Sequence, residues 1–130
     1  MRYLLFALIV AVLPGFQCNK DNDGLCVTNL SIIETQAPAT GTTGTNLRIP
    51  LRCSGSDLCY SFSHLDLQVV APRIYEVRTK GWYPCRPAIC AQAIYYADTA
   101  VNFIPPAAGQ YIFRFYNDQS LFKADTVIVN

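Results

Sequence analysis

Alternation of apolar and polar residues is the main pattern of this chain after its first 26 residues. In one segment every second residue is apolar, at Leu47, Ile49, Leu51 and Cys53. A period of two residues places one face of a β-strand in a core and the other face in water. The segment is therefore predicted to be a half-buried strand.

Similar short segments recur along the chain, at residues 27–33, 60–69, 74–79, 91–104, 111–115 and 121–129. In the second of these the apolar phase slips by one residue at His64, which predicts a bulge or a change of sheet. Turn-forming residues at 71–73 and 117–120 separate neighbouring segments, and the last two segments are predicted to form a hairpin. No segment outside the first residues shows apolar spacing typical of a helix.

About seven short strands with turns between them predict an all-β fold, an antiparallel sandwich or barrel. The length of the chain fits one such domain. We divide it into a leader at residues 1–17, a tether at 18–26 and the β domain at 27–130.

The leader has the layout of a secretory signal peptide. Arg2 gives a positive start, Tyr3 to Leu13 is an apolar run, and Pro14 and Gly15 break that run. About 20 apolar residues are needed to span a bilayer, so this run is too short for a permanent transmembrane helix. Export into a compartment where disulfides persist is predicted.

Charge argues against a nucleic-acid partner. The chain has 10 basic and 9 acidic residues, and residues 1–17 contain only one of the basic residues, Arg2. The remainder is formally neutral, whereas nucleic-acid binding depends on clustered Lys and Arg.

Candidate catalytic residues are few. His64 is the only histidine, so a Cys-His or Ser-His site has one possible base, with Cys59 and Asp66 as its nearest partners in sequence. The spaced Cys or His pairs of a zinc site are missing. We therefore expect no enzymatic activity, no metal and no cofactor.

Residues 80–90, KGWYPCRPAIC, are predicted to form a constrained loop because they contain a glycine, two prolines and two cysteines. Trp, Tyr and Arg often dominate binding interfaces. The candidate contact residues are therefore Lys80, Trp82, Tyr83 and Arg86. In the alternative interpretation, Trp82 plugs one open end of the sandwich.

The residues around Cys18 resemble the start of a bacterial lipoprotein, in which this cysteine receives the lipid. The following Asn19 to Asp23, with its lysine and acidic residues, resembles a surface-export signal of Bacteroidetes-type bacteria. Further resemblance covers residues 27–130. The segments APATGTTGTNLRIPL, CYSF, CAQA, NFIPPAAGQYIFRFYN and DTVIVN are similar to small Bacteroidetes-type lipoproteins with an immunoglobulin-like domain.

This resemblance implies an immunoglobulin-like sandwich, in which Tyr111 would form the tyrosine corner. It also implies a Cys59–Cys90 disulfide, because similar proteins keep cysteines at the CYSF and CAQA positions. We expect Cys53 to bond Cys85 and Cys26 to stay free. The competing layout has two local bridges, Cys53 with Cys59 and Cys85 with Cys90.

Two Asp-Thr-apolar triplets resemble O-glycosylation sites of the same bacteria, with Thr99 and Thr126 as the acceptors. The resemblance implies a monomer anchored by lipid at the outer membrane or cell surface, where it is a non-catalytic structural or accessory module. A periplasmic or secreted protein is the alternative location. The alternative function is a module that binds a glycan, a host protein or a protease through the 80–90 loop.

Overall fold

A computed structural model describes residues 24–130, and it contains eight β-strands and no helix in that range. The strands are β1 (Leu25–Thr35), β2 (Thr40–Gly41), β3 (Leu47–Gly55), β4 (Ser61–Ala71), β5 (Ile74–Pro84), β6 (Tyr95–Phe103), β7 (Gly109–Asn117) and β8 (Ser120–Val129). The all-β prediction is confirmed. No helix of these described residues is long and apolar enough to cross a membrane.

The strands form one curled, mixed sheet that makes a half-barrel, with the order β2-β8-β7-β5-β1-β3-β6 and with β4 also paired to β5. Two pairs are parallel, β2 with β8 and β5 with β7, which corrects the expectation of purely antiparallel pairing. A parallel pair needs a long crossover. Residues 85–108, which include β6, supply one between β5 and β7.

β1 and β5 each change partners along their length, which is how the sheet curls. Residues 25–30 of β1 pair with β5, whereas residues 31–35 pair with β3. At this change the Ile32 amide donates to Asn117 Oδ1 at 2.7 Å, and Asn117 Nδ2 donates to the Ile32 carbonyl at 3.0 Å. The amide of Asn117 thus satisfies both backbone groups of Ile32, which is buried.

Local features predicted from the sequence are confirmed. The β4–β5 pairing shifts register between Phe62 and His64, at the predicted bulge. β4 and β5 are joined by a turn in which Arg73 has a φ of 61°. β7 and β8 form the predicted hairpin, and Asp118 at its turn has a φ of 56°. Asp is one of the few non-glycine residues that tolerate this left-handed conformation.

The core lies inside the curl and is rich in aromatic side chains. Phe113 and Phe115 on β7 are fully buried. The Tyr75 ring stacks on Phe113 with 5.3 Å between ring centroids. The Phe103 ring also packs against Tyr75, with 4.8 Å between ring centroids. The alternation predicted for β3 is confirmed because Leu47, Ile49, Leu51 and Cys53 are all buried.

Tyr111 forms the predicted tyrosine corner. Its ring is buried, and its hydroxyl donates to the carbonyl of Ala107 at 2.8 Å. Gly109, the first residue of β7, has a φ of 142°. Glycine adopts this conformation readily, so the chain can turn into β7 two residues before Tyr111. The hydrogen bond ties the connection between β6 and β7 back to the sheet.

Candidate functional site at the disulfide-linked end of the sheet

Two disulfides lie at the end of the sheet where β5 ends. They join Cys26 to Cys85, with Cα atoms 5.1 Å apart, and Cys59 to Cys90, with Cα atoms 5.4 Å apart. The second bridge confirms the prediction. The first bridge joins the segment after β5 to β1, and the second joins it to the turn before β4.

The predicted Cys53–Cys85 bridge is wrong, as are the competing local bridges, and Cys26 is not free. Strand pairing decides the matter: Cys26 lies opposite Tyr83 in the β1–β5 register, next to the end of β5 where Cys85 follows. Among residues 24–130, Cys53 is instead the free thiol. It points into the core from β3, and its Sγ donates to the Ala97 carbonyl at 3.6 Å.

Burial raises the pKa of the Cys53 thiol to about 11. The thiol is the unreactive form, since the thiolate is the nucleophile. We expect Cys53 to resist alkylation by iodoacetamide in the folded protein at pH 8 and to react fully in urea. Mass spectrometry of the alkylated peptides measures this. Equal labelling of Cys53 with and without urea would contradict the assignment.

Residues 80–90 do not form a single loop, which corrects the prediction. β5 continues through Lys80, Trp82 and Tyr83 to Pro84, so only residues 85–90 of this segment lie outside a strand. The backbone of residues 80–82 pairs with β1 on one side and β4 on the other. These hydrogen bonds override the turn tendency of Gly81, and the Cβ that it lacks would collide with the Ser61 carbonyl and the Leu30 side chain.

Tyr83 is a structural residue of this end of the sheet. Its ring packs against Tyr60 with 4.5 Å between centroids, and its hydroxyl donates to Asp57 Oδ2 at 3.1 Å. This hydrogen bond raises the pKa of Tyr83 above its usual value. The other Asp57 oxygen accepts from the Cys59 amide at 2.9 Å, so Asp57 joins Tyr83 to the Cys59–Cys90 bridge.

Trp82 and Lys80 lie on the opposite side of β5, facing away from the core, because they alternate with the buried residues Thr79 and Gly81. Trp82 is half-buried. Val27 lies opposite it on β1 and Ser61 on β4. Lys80 Nζ donates to Asn29 Oδ1 at 2.6 Å. Neither residue belongs to an exposed loop.

The exposed part of the segment begins after Pro84. Arg86 and Ile89 are both exposed, and Ile89 is 105% exposed, so no side chain of the described residues covers it. The segment is nevertheless held at both ends. Besides the two bridges, the Cys85 amide donates to the Gly24 carbonyl at 2.8 Å, and the Leu58 amide donates to the Ala91 carbonyl at 3.1 Å. Residues 85–91 therefore form a pinned loop that presents Ile89.

One concave region of the surface was not predicted from the sequence. It is a cleft of about 290 Å³ on the outer side of β1, β3 and β6, lined by Glu34, Gln36, Arg48, Pro50, Leu51, Arg52, Asp98 and Thr99. Arg52 donates to both oxygens of Asp98, at 2.6 and 3.1 Å, and this holds the pKa of Asp98 below its usual value. The alternation of β3 places Arg48 and Arg52 on its outward face, but it does not show that β1 and β6 become the neighbours of β3.

Two further groups contain candidate catalytic or metal-binding residues. His64 is exposed, and its Nδ1 lies 2.9 Å from Ser63 Oγ. Cys59, its expected partner, is oxidised and therefore not a nucleophile. Asp57, Cys59 and Cys90 lie close enough together to hold a metal ion. The two sulfurs are bonded to each other, however, and cannot act as thiolate ligands while the bridge is intact.

The candidate glycosylation residues lie in strands. Thr99 is half-buried on β6, and Thr126 is exposed on β8. The aspartate before each threonine interacts with another side chain. Asp98 pairs with Arg52, and Asp125 accepts from Thr35 Oγ1 at 3.0 Å. Thr126 is the more accessible acceptor of the two.

Cys18, the leader at residues 1–17 and the charged residues up to Asp23 lie outside the described residues. Their predicted roles stay predictions. Comparison of the chain with protein-family models, with curated protein sequences and with solved structures gives no match.

Proposed function

We propose that this chain is an exported, lipid-anchored protein of the cell envelope whose β domain is a non-catalytic structural or accessory module. The observation that carries the proposal is the pair of disulfides. Such bridges persist in exported proteins and are rare in reducing compartments. They agree with the leader and with attachment through Cys18, which would place the protein at the outer membrane or cell surface.

The position of the first bridge supports the role of an anchored module. A tether at residues 18–26 would enter the domain at the start of β1, and Cys26 lies there. Its bond to Cys85 fixes the first residues of β1 to the end of β5. A pull on the tether would therefore act on a covalent link instead of peeling β1 away from β5.

The proposal is tested at the anchor. Replacing Cys18 with alanine is expected to move the protein from the membrane fraction to the soluble fraction, because a lipid at Cys18 would be the membrane attachment. Immunoblots of fractionated cells measure the shift, and N-terminal sequencing confirms that the leader is removed. Cys53→Ala is the matched control and should stay with the membrane. A cleaved Cys18→Ala protein that remains in the membrane fraction would contradict the anchor.

We also infer a relationship to the immunoglobulin-like sandwich. The neighbouring pairs β1–β3, β3–β6 and β7–β8 correspond to the A–B, B–E and F–G neighbours of that fold. The tyrosine corner lies on β7, as expected for strand F. The departure is β5, which lies parallel to β7 where that fold has an antiparallel strand.

The pinned loop supports a second candidate function, binding of a protein partner. Its two bridges limit the conformational freedom lost on binding, which is the advantage of a preorganised contact. Ile89 projects from it without contact to the rest of the domain. An apolar side chain of this kind fits an apolar pocket of a protein, such as a host protein or a protease, better than it fits a glycan.

Ile89→Ala tests this second function. The substitution should abolish capture of the partner from envelope or host extracts while leaving the melting temperature unchanged, because Ile89 supports no part of the core. Ile128→Ala on β8, an exposed apolar residue away from the loop, is the matched control and should still capture it. Equal capture by wild type and Ile89→Ala would exclude binding through this loop.

A further inference from the structure

The edge of β4 is open. β4 pairs with β5 along its length, and among residues 24–130 no strand pairs with its other edge. Between two register shifts, residues His64 to Val69 pair without interruption with Lys80 to Tyr75. This leaves a regular, six-residue strand edge, and the unpaired N–H and C=O groups of such an edge are a template for another strand.

The core-facing side of this edge is apolar and uncovered. Leu67 and Val69 lie opposite Val77 and Tyr75 of β5, on the side that faces the core. Val77 is fully buried, yet Leu67 is 37% exposed and Val69 is 67% exposed. They are exposed because β4 is an edge strand and no strand of residues 24–130 continues the sheet beyond it. A strand added to this edge would continue the sheet over both side chains.

We propose that the edge of β4 is a homodimerisation surface, on which β4 of a second copy pairs antiparallel about a two-fold axis. A two-fold interface requires a segment that is complementary to itself. Residues Leu65 to Val69 meet this requirement, since they alternate Leu, Asp, Leu, Gln, Val and carry one charged side chain.

The alternation limits the possible registers. Directly opposed residues of an antiparallel pair project to the same side of the sheet. If Leu67 of one copy faced Asp66 of the other, the apolar side of one β4 would continue into the polar side of its partner. The apolar side stays continuous only when the two residues of each opposed pair both have odd numbers or both have even numbers. In such a register one residue of β4 lies opposite the same residue of the second copy, and the two-fold axis passes between these two.

Charge then selects the axis. An axis at Asp66 would oppose two carboxylates, and like charges directly opposite one another are destabilising. An axis at Leu67 opposes Leu67 to itself, Leu65 to Val69, and Asp66 to Gln68. The Gln68 side chain can donate to Asp66, as it already does within one copy at 3.2 Å. Axes further along β4 pair fewer of the regular residues. The second copy thus matches this edge in hydrophobicity and charge at one register.

The pairing is short, so a weak and concentration-dependent dimer is expected, at the small end of specific interfaces. Sedimentation equilibrium of the full chain, expressed with its own leader and purified in detergent, measures the dimerisation constant. Gln68→Lys should tighten the dimer and Gln68→Asp should weaken it, each by roughly two- to tenfold, because residue 68 faces Asp66 twice. Equal or opposite effects of these two substitutions would overturn the proposal.

Val69→Lys is the disrupting variant, since an inward-pointing lysine on an edge strand prevents pairing. It should leave the protein monomeric with an unchanged melting temperature. Ile128→Lys is its matched control, because Ile128 is 44% exposed but has strand neighbours on both sides. That variant should dimerise like wild type. Equal loss in both variants, or a wild-type protein that is monomeric at every concentration, would overturn the proposal. A monomer whose β4 amides resist hydrogen exchange would show that the edge is covered within the same chain, by residues that precede Gly24, and this result too would overturn the proposal.

Discussion

Replacing Cys26 and Cys85 together with serine is expected to lower the free energy of unfolding by about 4 kcal/mol. The bridge closes a loop with a sequence separation of 59 residues, and in the chain-entropy account a loop of this length contributes about 4 kcal/mol by restricting the unfolded chain. The total stability of a small domain is about 5–15 kcal/mol. The loss therefore removes a large share of it.

The bridge also holds the first residues of β1, whose exposed side chains contribute little packing. Leu25 and Val27 are 39% and 54% exposed. Without the bridge we expect this end of β1 to fray, because few buried contacts remain to hold it. Urea denaturation under non-reducing conditions measures the stability loss, and limited proteolysis detects the fraying.

Cys53→Ala is the control for the double variant. It removes a thiol but keeps both bridges, and the small cavity that it leaves should cost about 1 kcal/mol. A double variant that loses no more stability than Cys53→Ala would show that the Cys26–Cys85 bridge does not contribute the expected stability.

Phe113→Ala is expected to destabilise the domain by about 3–5 kcal/mol, the cost of emptying a fully buried aromatic position. Phe113 lies on β7 at the centre of the core. Its ring is 5.3 Å from that of Tyr75 and 5.8 Å from that of Phe103, centroid to centroid. Removing the ring takes a packing partner from β5 and β6 at once, so the surrounding strands cannot close the cavity easily.

Trp82→Ala is the informative comparison, since it deletes an even larger aromatic side chain. Trp82 faces away from the core on β5 and is half-buried, so we expect a loss of about 1 kcal/mol or less. Thermal and urea unfolding of the two variants, measured side by side, test this difference. A loss for Trp82→Ala as large as that for Phe113→Ala would restore the interpretation that Trp82 plugs the end of the fold.

Features that depend on neighbouring residues in sequence were predictable. The alternation of Leu47 to Cys53 identified a strand with one buried face, and the phase slip at His64 identified a bulge. The turn at Asp118 and the corner at Tyr111 followed from short motifs. In each case the physical cause, side-chain alternation or the conformational preference of a turn residue, acts over a few residues.

Features that depend on which strands become neighbours were not predictable in the same way. Loop-closure entropy grows only slowly with loop length, so it gave little preference between Cys53 and Cys26 as the partner of Cys85, and it ignores where side chains point. Likewise, the glycine and prolines of residues 80–90 predicted a loop, and pairing of β5 with both β1 and β4 made half of it a strand.

The sequence by itself determined an all-β chain, the positions of most strands and turns, and the buried face of β3, because these follow from a two-residue period and from local turn chemistry. Tertiary structure alone decided that β5 lies parallel to β7, that Cys26 meets Cys85, and that β4 has an edge to which no strand of residues 24–130 is paired. These depend on contacts between residues far apart in the chain, where many pairings satisfy the same local pattern. Packing of the whole core selects one of them.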